Sequence, residues 1–302
     1  MILRNVDRVD SISRKDFQER YVKHSKPVVI KNLTAGWAAK TKWNYDYFKS
    51  LAGDKIVPVY DNSIPTADSA VNKPDGELKF GEYLDRIAAG PTELRIFLFN
   101  IFDHIPDLVN DFTYFDEICG GFLKKYPMMF FGGAGSKVFL HFDMDLSHVF
   151  ITQFKGKKRV ILFDNKYSEA LYKLPFMVQS YIDPEKPDYD KYPALKNVKG
   201  YETIIEDGET LFMPSGIWHY MNYMEGGFAL SLRSMETPVS TKLRGVYNLL
   251  VMRKIDDFMK RNFTRKWYDY KHQTALRRGN NLAGMLPGTS YSHAGLHAGR
   301  QG

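Results

Sequence analysis

Cysteine is almost absent from this chain of 302 residues, with Cys119 as the single example. A lone thiol excludes an internal disulfide framework and a metal cluster built from the cysteines of one chain. Long apolar runs are also absent, since none approaches the roughly 18 residues that cross a bilayer. The first residues, MILRNVDRVDSIS, are charged and lack the apolar core of a secretory signal. These absences favour a cytoplasmic protein that has no membrane partner.

Acidic residues are scarce in one segment only. Lys242–Arg278 contains eleven Lys or Arg against three acids, a net charge of +8 in a chain whose total is +7. A basic helix with interleaved aromatic residues can contact nucleic acid or an acidic partner. The alternatives are a solvated face, or a helix that packs in a homodimer through Leu249, Leu250 and Phe258. Of these we favour the homodimer.

Aromatic residues, in contrast, are abundant, with 21 Phe, 19 Tyr and 4 Trp, and they suit a β-rich core. From about Tyr126 to Ser234, short apolar runs alternate with the turn signals KGK, DG and GG. This pattern predicts an antiparallel barrel or jelly roll. We predict eight strands: 127–131, 137–143, 149–154, 159–163, 201–205, 210–213, 217–223 and 228–233.

The flanks of this region predict helices and a few strands. Ser13 and Asp16 form a capping-box pattern that predicts a helix through Val22. Further helices are predicted over 43–51, 79–89 and 241–278, and strands over 27–30, 55–60 and 94–100. An irregular insert, 164–199, is expected at the barrel rim. We therefore divide the chain into a barrel domain with its mixed α/β flank (1–240), a basic helical segment (241–281) and a flexible tail (282–302).

The run FLHFDMD places His141 and Asp143 two residues apart on a predicted strand, so both side chains face the same side. One imidazole and one carboxylate at this spacing can supply two ligands to a cation. His219 is the only strand histidine far downstream and can supply the third. Two histidines and one carboxylate are the facial triad of non-haem Fe(II) oxygenases. The alternative is a hydrogen-bonded His141, a solvated Asp143 and a core His219.

Two other residues compete for the metal. Asp145 has the parity of Asp143, although it can lie beyond the strand end, and His148 is close in sequence but has the opposite parity to His141.

The runs HFDMDLSHVFITQFKGKKRVILFD and YETIIEDGETLFMPSGIWHYMNYMEGGFALSLR resemble the cupin-like JmjC family, and within it the asparaginyl hydroxylases that act on hypoxia-inducible factor. The resemblance implies a mainly β fold, a double-stranded β-helix with helical flanks. It also implies Fe(II)- and 2-oxoglutarate-dependent hydroxylation or demethylation of a protein side chain. By motif, His141, Asp143 and His219 become the iron ligands. Lys158 falls where the family places the lysine that pairs with the distal carboxylate of 2-oxoglutarate.

The sequence departs from the family pattern around this cosubstrate. Ser147 or Val149 falls where the family has an asparagine, and the apolar Phe97 and Val138 replace hydroxyl groups. Arg233 replaces a second asparagine. Arg233 can clamp the cosubstrate in place of Lys158, or form a salt bridge at the barrel end.

These observations leave three functions in competition. The first is an Fe(II)/2-oxoglutarate oxygenase that acts on a protein or peptide, or on a small molecule. The second is a metal-binding cupin that is not an oxygenase, and the third is a non-catalytic interaction module that uses the basic segment. Tyr60 and Asp61, on a flank strand expected to cover the barrel mouth, are candidate substrate-side residues.

Overall fold

The computed structural model describes residues 1–61, 74–96 and 99–284. Short strands dominate the first 234 residues and helices the remainder. The strands are β1 (Ile2–Asn5), β2 (Asp7–Val9), β3 (Val28–Ile30), β4 (Ile56–Asp61), β5 (Gly76–Lys79), β6 (Leu94–Ile96), β7 (Met128–Gly132), β8 (Lys137–His141), β9 (His148–Lys155), β10 (Lys158–Phe163), β11 (Lys199–Ile205), β12 (Thr210–Met213), β13 (Trp218–Tyr223) and β14 (Gly227–Ser234). The helices are α1 (Arg14–Phe17), α2 (Ala39–Lys42), α3 (Tyr45–Ala52), α4 (Phe80–Ala89), α5 (Val239–Tyr247) and α6 (Arg253–Gly284).

Two sheets face each other, and their centres are built from the eight strands that the sequence predicts. One sheet has the order β1-β11-β10-β13-β8, and the other has the order β2-β3-β12-β9-β14-β7-β6-β4-β5. Within the eight, β7–β14, all pairs between neighbours are antiparallel. This is the predicted mainly β, jelly-roll architecture with helical flanks.

Strand β9 shows how both faces of the larger sheet are covered. Val149 and Ile151 point between the two sheets and join an apolar cluster there. Phe150 points the other way and packs against Phe17 of the flank, with ring centroids 5.8 Å apart. A strand buried on both faces reads as a continuous apolar run rather than an alternating one, which is the pattern of Val149, Phe150 and Ile151.

The N-terminal flank extends both sheets. The predicted helix cap is confirmed, since the Ser13 side chain accepts a hydrogen bond from the backbone N–H of Asp16. Strands β1 and β2 were not predicted. They pair in parallel with β11 and β3 at the sheet edges, and such short polar edge strands carry no periodic signal.

The C-terminal helices pack onto the rim insert. Helix α5 continues through a π-helical turn, Asn248–Met252, into α6, which is bent at Phe263, where φ is −136°. Buried Asp256 accepts hydrogen bonds from Trp267 and Lys271 across this bend. None of the described helices is long and apolar enough to span a membrane.

Candidate metal centre

Two histidines face each other across neighbouring strands. In the ladder between β8 and β13, His141 is paired with His219, and their ring centroids lie 4.2 Å apart. The Nδ1 atom of His141 lies 2.7 Å from the carbonyl of Phe139, and that of His219 lies 3.2 Å from the carbonyl of Ile217. A carbonyl can only accept, so each Nδ1 carries the proton. Each Nε2 therefore keeps a lone pair that can bind a metal.

Asp143 joins these histidines from a loop rather than from a strand. The prediction that the strand runs to Asp143 is wrong, because β8 ends at His141 and the backbone N–H of Phe142 donates to Val178 of the rim insert. One ligand atom each from His141, Asp143 and His219 lies within 4.8 Å of the other two. The structure thus brings together all three residues that the sequence predicts as metal ligands.

The protonation states of the three groups suit a cation. Burial alone raises the pKa of Asp143, but Arg233 and the two imidazoles lower it to about 2. Burial, followed by the neighbouring His141, lowers the pKa of His219 to about 3, and burial also lowers the pKa of His141. At neutral pH the cluster therefore presents one carboxylate and two neutral imidazoles, which are the forms that bind metals.

The same residues line a cavity of about 140 Å³ between the two sheets. Apart from the three candidate ligands, its charged lining residues are Arg95, Lys158 and Arg233. Most of the remaining lining is apolar and includes Val138 and Val149. The cavity therefore combines a candidate metal site, three basic side chains and an apolar lining that excludes water.

Lys158 begins β10 and is fully buried. Its Nζ has no hydrogen-bond acceptor within the described part of the chain, and it lies 4.3 Å from the ring centroid of Tyr223. Burial lowers the pKa of this ammonium to about 7. A buried cation without an acceptor is costly, so a lysine in this position suits an anionic ligand in the cavity.

Arg233 contacts two acids with one nitrogen. Its Nη1 lies 3.1 Å from Oδ2 of Asp143 and 3.1 Å from Oδ2 of Asp145. Asp145 also accepts hydrogen bonds from the backbone N–H and the hydroxyl of Ser147. Of the two roles considered for Arg233, the geometry is that of the salt bridge.

The competing ligand His148 lies outside the cluster. Its Nε2 is 3.2 Å from the carbonyl of Glu236, and its Nδ1 accepts a hydrogen bond from the backbone N–H of Ser215. Both ring nitrogens are therefore engaged with the backbone.

The candidate substrate-side residues lie at the end of β4. Neither Tyr60 nor Asp61 is among the described residues that line the cavity. Tyr60 instead packs beneath Arg95, whose Cζ lies 5.5 Å from its ring centroid. Arg95 itself lines the cavity and was missed by the sequence analysis. The sequence did contain one indication of this. Arg95 is two residues from Phe97 and therefore faces the same side of the predicted strand, although Phe97 itself lies outside the described residues.

The comparison with known protein families matches the part of the chain that forms the jelly roll. A family model described as "Cupin-like domain" matches residues 14–234. The chain belongs to the cupin-like domain family. The match covers the flank from α1 onward and all eight strands of the jelly roll, and it ends with β14.

Relatives of this cupin-like protein include named enzymes. Lysine-specific demethylase 8 of Danio rerio is 27% identical over 241 residues, which are 76% of this chain and 58% of the relative. Lysine-specific demethylase JMJ30 of Arabidopsis thaliana is 28% identical over 76% of this chain and 54% of its own. tRNA wybutosine-synthesizing protein 5 of Mus musculus is 26% identical over 75% of this chain and 76% of its own. The chain spans little more than half the length of the demethylase relatives.

Helix α5 of the cupin-like protein and the π-helical turn after it support the loop that carries Asp143. Asn248 donates to the carbonyl of Met144, and Gly245 lies directly against the backbone of Asp145. A Cβ atom at position 245 would overlap the carbonyl oxygen of Asp145. This close approach requires glycine at position 245.

We expect Gly245→Ala to lower the free energy of unfolding by about 1–3 kcal/mol, because the added methyl group forces the loop or the helix to move. Gly284→Ala is the matched control, since a Cβ there meets nothing within 4 Å. Urea denaturation of both variants checks this. Equal stability of the two would contradict the close approach.

Proposed function

We propose that this protein is an Fe(II)- and 2-oxoglutarate-dependent oxygenase whose iron ligands are His141, Asp143 and His219. The observation that carries the proposal is the buried ammonium of Lys158, without an acceptor, in the cavity that also holds the three ligands. A metal triad alone suits many cupins. A triad together with a buried cation suits a metal that works with an anionic cosubstrate.

The donor set supports iron. Two imidazole nitrogens and one carboxylate form a facial triad that leaves coordination positions open, and this set is typical of non-haem Fe(II) oxygenases. The backbone carbonyls of Phe139 and Ile217 fix the tautomer of each histidine and so direct both Nε2 atoms to one point. One ligand atom of each of the three residues lies within 4.8 Å of the others, so together they would hold the ion.

Lys158 is the group that we expect to bind the distal carboxylate of 2-oxoglutarate. Arg233 is the less suitable candidate because Asp143 and Asp145 already occupy its Nη1. An ammonium paired with a carboxylate in an apolar cavity fixes the orientation of the bound acid through a charge-assisted bond. The apolar lining, including Val138 and Val149, excludes water from the reacting groups.

Iron and 2-oxoglutarate, when bound, would allow O₂ to act as the oxidant: one oxygen atom would hydroxylate a C–H bond, and the other would enter succinate as 2-oxoglutarate loses carbon dioxide. The protein's own contribution is to hold three ligands, orient the acid through Lys158 and keep the cavity dry.

Purified protein supplied with Fe(II) and 2-oxoglutarate is expected to release succinate, which NMR spectroscopy can quantify. His219→Ala should reduce this turnover to the level of the metal-free protein because it removes one ligand. His24→Ala, which changes an exposed histidine, should leave turnover unchanged. Failure to bind 2-oxoglutarate in the presence of metal would contradict the proposal. Metal binding without keto acid binding would instead support the cupin that is not an oxygenase.

The affinity for 2-oxoglutarate is expected to fall as the pH rises above about 7. Free Lys158 has a pKa lowered to about 7, and a bound carboxylate raises it, so the complex holds a proton that the free protein loses. Affinity is therefore full below pH 7 and falls by up to about tenfold per unit above it. Calorimetry with Mn(II) in place of iron between pH 6 and 8.5 measures this. Lys158→Arg, whose guanidinium stays charged, should abolish the dependence, and an unchanged pH profile in that variant would argue against Lys158 as the partner.

We keep a protein side chain as the proposed substrate class. The names of the demethylase relatives support it, and the name of the tRNA wybutosine-synthesizing relative makes RNA the competing class. The narrower likeness to asparaginyl hydroxylases stays a prediction. Salt-sensitive retention of tRNA, lost when the basic residues of α6 are neutralised, would favour RNA.

A homodimer through the C-terminal helices is also part of the proposal. One face of α5 and the following turn exposes Val239, Leu243, Val246 and Leu250, at helical spacing. Leu243 is 65% and Leu250 is 57% exposed. A contiguous apolar face of this kind is typical of an interface, and a second copy can cover it by two-fold symmetry.

The double variant Leu243→Glu/Leu250→Glu is expected to be a monomer because it places two charges in this face. Light scattering coupled to gel filtration measures the mass. Arg265→Glu, which changes charge at an exposed site elsewhere on the helices, should leave the dimer intact. A wild-type protein that is monomeric at micromolar concentration would rule out the dimer.

A further inference from the structure

Two carboxylates lie close to the point where the metal ligands converge. Arg233 Nη1 is 3.1 Å from Oδ2 of both Asp143 and Asp145, so these two oxygens cannot be farther apart than twice that distance. Both acids and the arginine are largely buried, with side-chain exposures of 19%, 24% and 17%. A second carboxylate is therefore within reach of a cation at the triad after a small side-chain movement.

A second carboxylate on the metal would change the chemistry of the site. Two imidazoles and two carboxylates fill a coordination position that an oxygenase needs for its cosubstrate or for O₂. Carboxylate-rich sites also favour hard cations such as Mn²⁺ and Mg²⁺. The sequence HFDMD contains both acids, so something other than residue type must separate their roles.

We propose that Arg233 is a positioning residue that keeps Asp145 off the metal and leaves Asp143 as the single carboxylate ligand. The guanidinium lies between the two acids and occupies Oδ2 of Asp145. Ser147 binds Oδ1 of Asp145 through its backbone N–H at 3.2 Å and its hydroxyl at 3.0 Å, and Arg233 Nη1 donates to the same oxygen at 3.2 Å. Asp145 in turn balances the charge of Arg233, which would otherwise repel a divalent cation. This inference rests on the metal site of the proposed function.

The inference predicts the sign of a change in metal affinity. Loss of an ordinary outer-shell partner weakens metal binding by about 10–100-fold, because the ligand is no longer oriented. Loss of Arg233 should instead strengthen it, because a positive charge leaves and a carboxylate is released toward the cation. The loss of one charge at such a distance from the metal corresponds to a change of about tenfold or more in metal affinity.

Mn(II) binding to the 302-residue protein tests this without any turnover. The protein is stripped with a chelator, titrated with MnCl₂ without cosubstrate, and free Mn(II) is measured by electron paramagnetic resonance. Arg233→Met is expected to bind at least about tenfold more tightly than the wild type. Arg233→Met/Asp145→Asn should return toward wild-type affinity, because the released carboxylate is gone. Arg233→Lys, which keeps the charge, should not bind more tightly.

Each other outcome has a definite meaning. Weaker or unchanged binding by Arg233→Met, with wild-type binding intact, overturns this inference alone. A double variant that stays as tight as Arg233→Met overturns it as well, because Asp145 is then not the released ligand. A wild-type protein that binds no Mn(II) overturns both the metal site and this inference. If Arg233→Met does not fold, Arg233→Gln carries the same expectation, since its polar side chain is neutral and likewise removes the positive charge.

Discussion

The register between β8 and β13 is the constraint on which the site depends. Pairing His141 with His219 puts two imidazoles on one face at 4.2 Å between ring centroids. A slip of one residue would turn either side chain to the opposite face of the sheet. The ladder shifts register between His219 and Met221, so the pairing at His219 differs from that of the rest of β13. The convergence of the two imidazoles on one cavity follows from this one pairing.

Around that pair, the charges are arranged as two separate groups. Arg233 is shared by Asp143 and Asp145 on the metal side of the cavity. The Nζ of Lys158 lies over the ring of Tyr223 and has no hydrogen-bond acceptor in the described part of the chain. Arg233 is thus neutralised by acids of the protein, whereas Lys158 has no such acceptor among the described residues. This division explains why two basic residues that looked interchangeable in the sequence have different roles in the proposed mechanism.

The sequence was sufficient to predict the eight strands because glycine turns such as Gly156, with a φ of +76°, separate apolar runs of clear length. It was also sufficient for His141 and His219, since each lies on one of those strands. It was insufficient where position depends on distant partners. Strands β1 and β2 form because they pair with β11 and β3, which are distant in sequence or carry no local signal for the pairing. Asp143 is positioned by a loop rather than by the alternation of side chains along a strand. Arg95 was missed because its shared parity with Phe97 was the one sign that its side chain faces the cavity.

Gly245 and Asn248 contact the loop that carries Asp143 and Asp145, yet they lie beyond residue 234, where the family match ends. The part of the chain that matches the family is therefore shorter than the part that is needed to form the site. Changes in the loop and changes in α5 are constrained to occur together, so grafting the jelly roll of a relative onto this tail, or the reverse, would bring two unmatched surfaces into contact. The C-terminal helices support the loop of the candidate metal centre from outside the cavity.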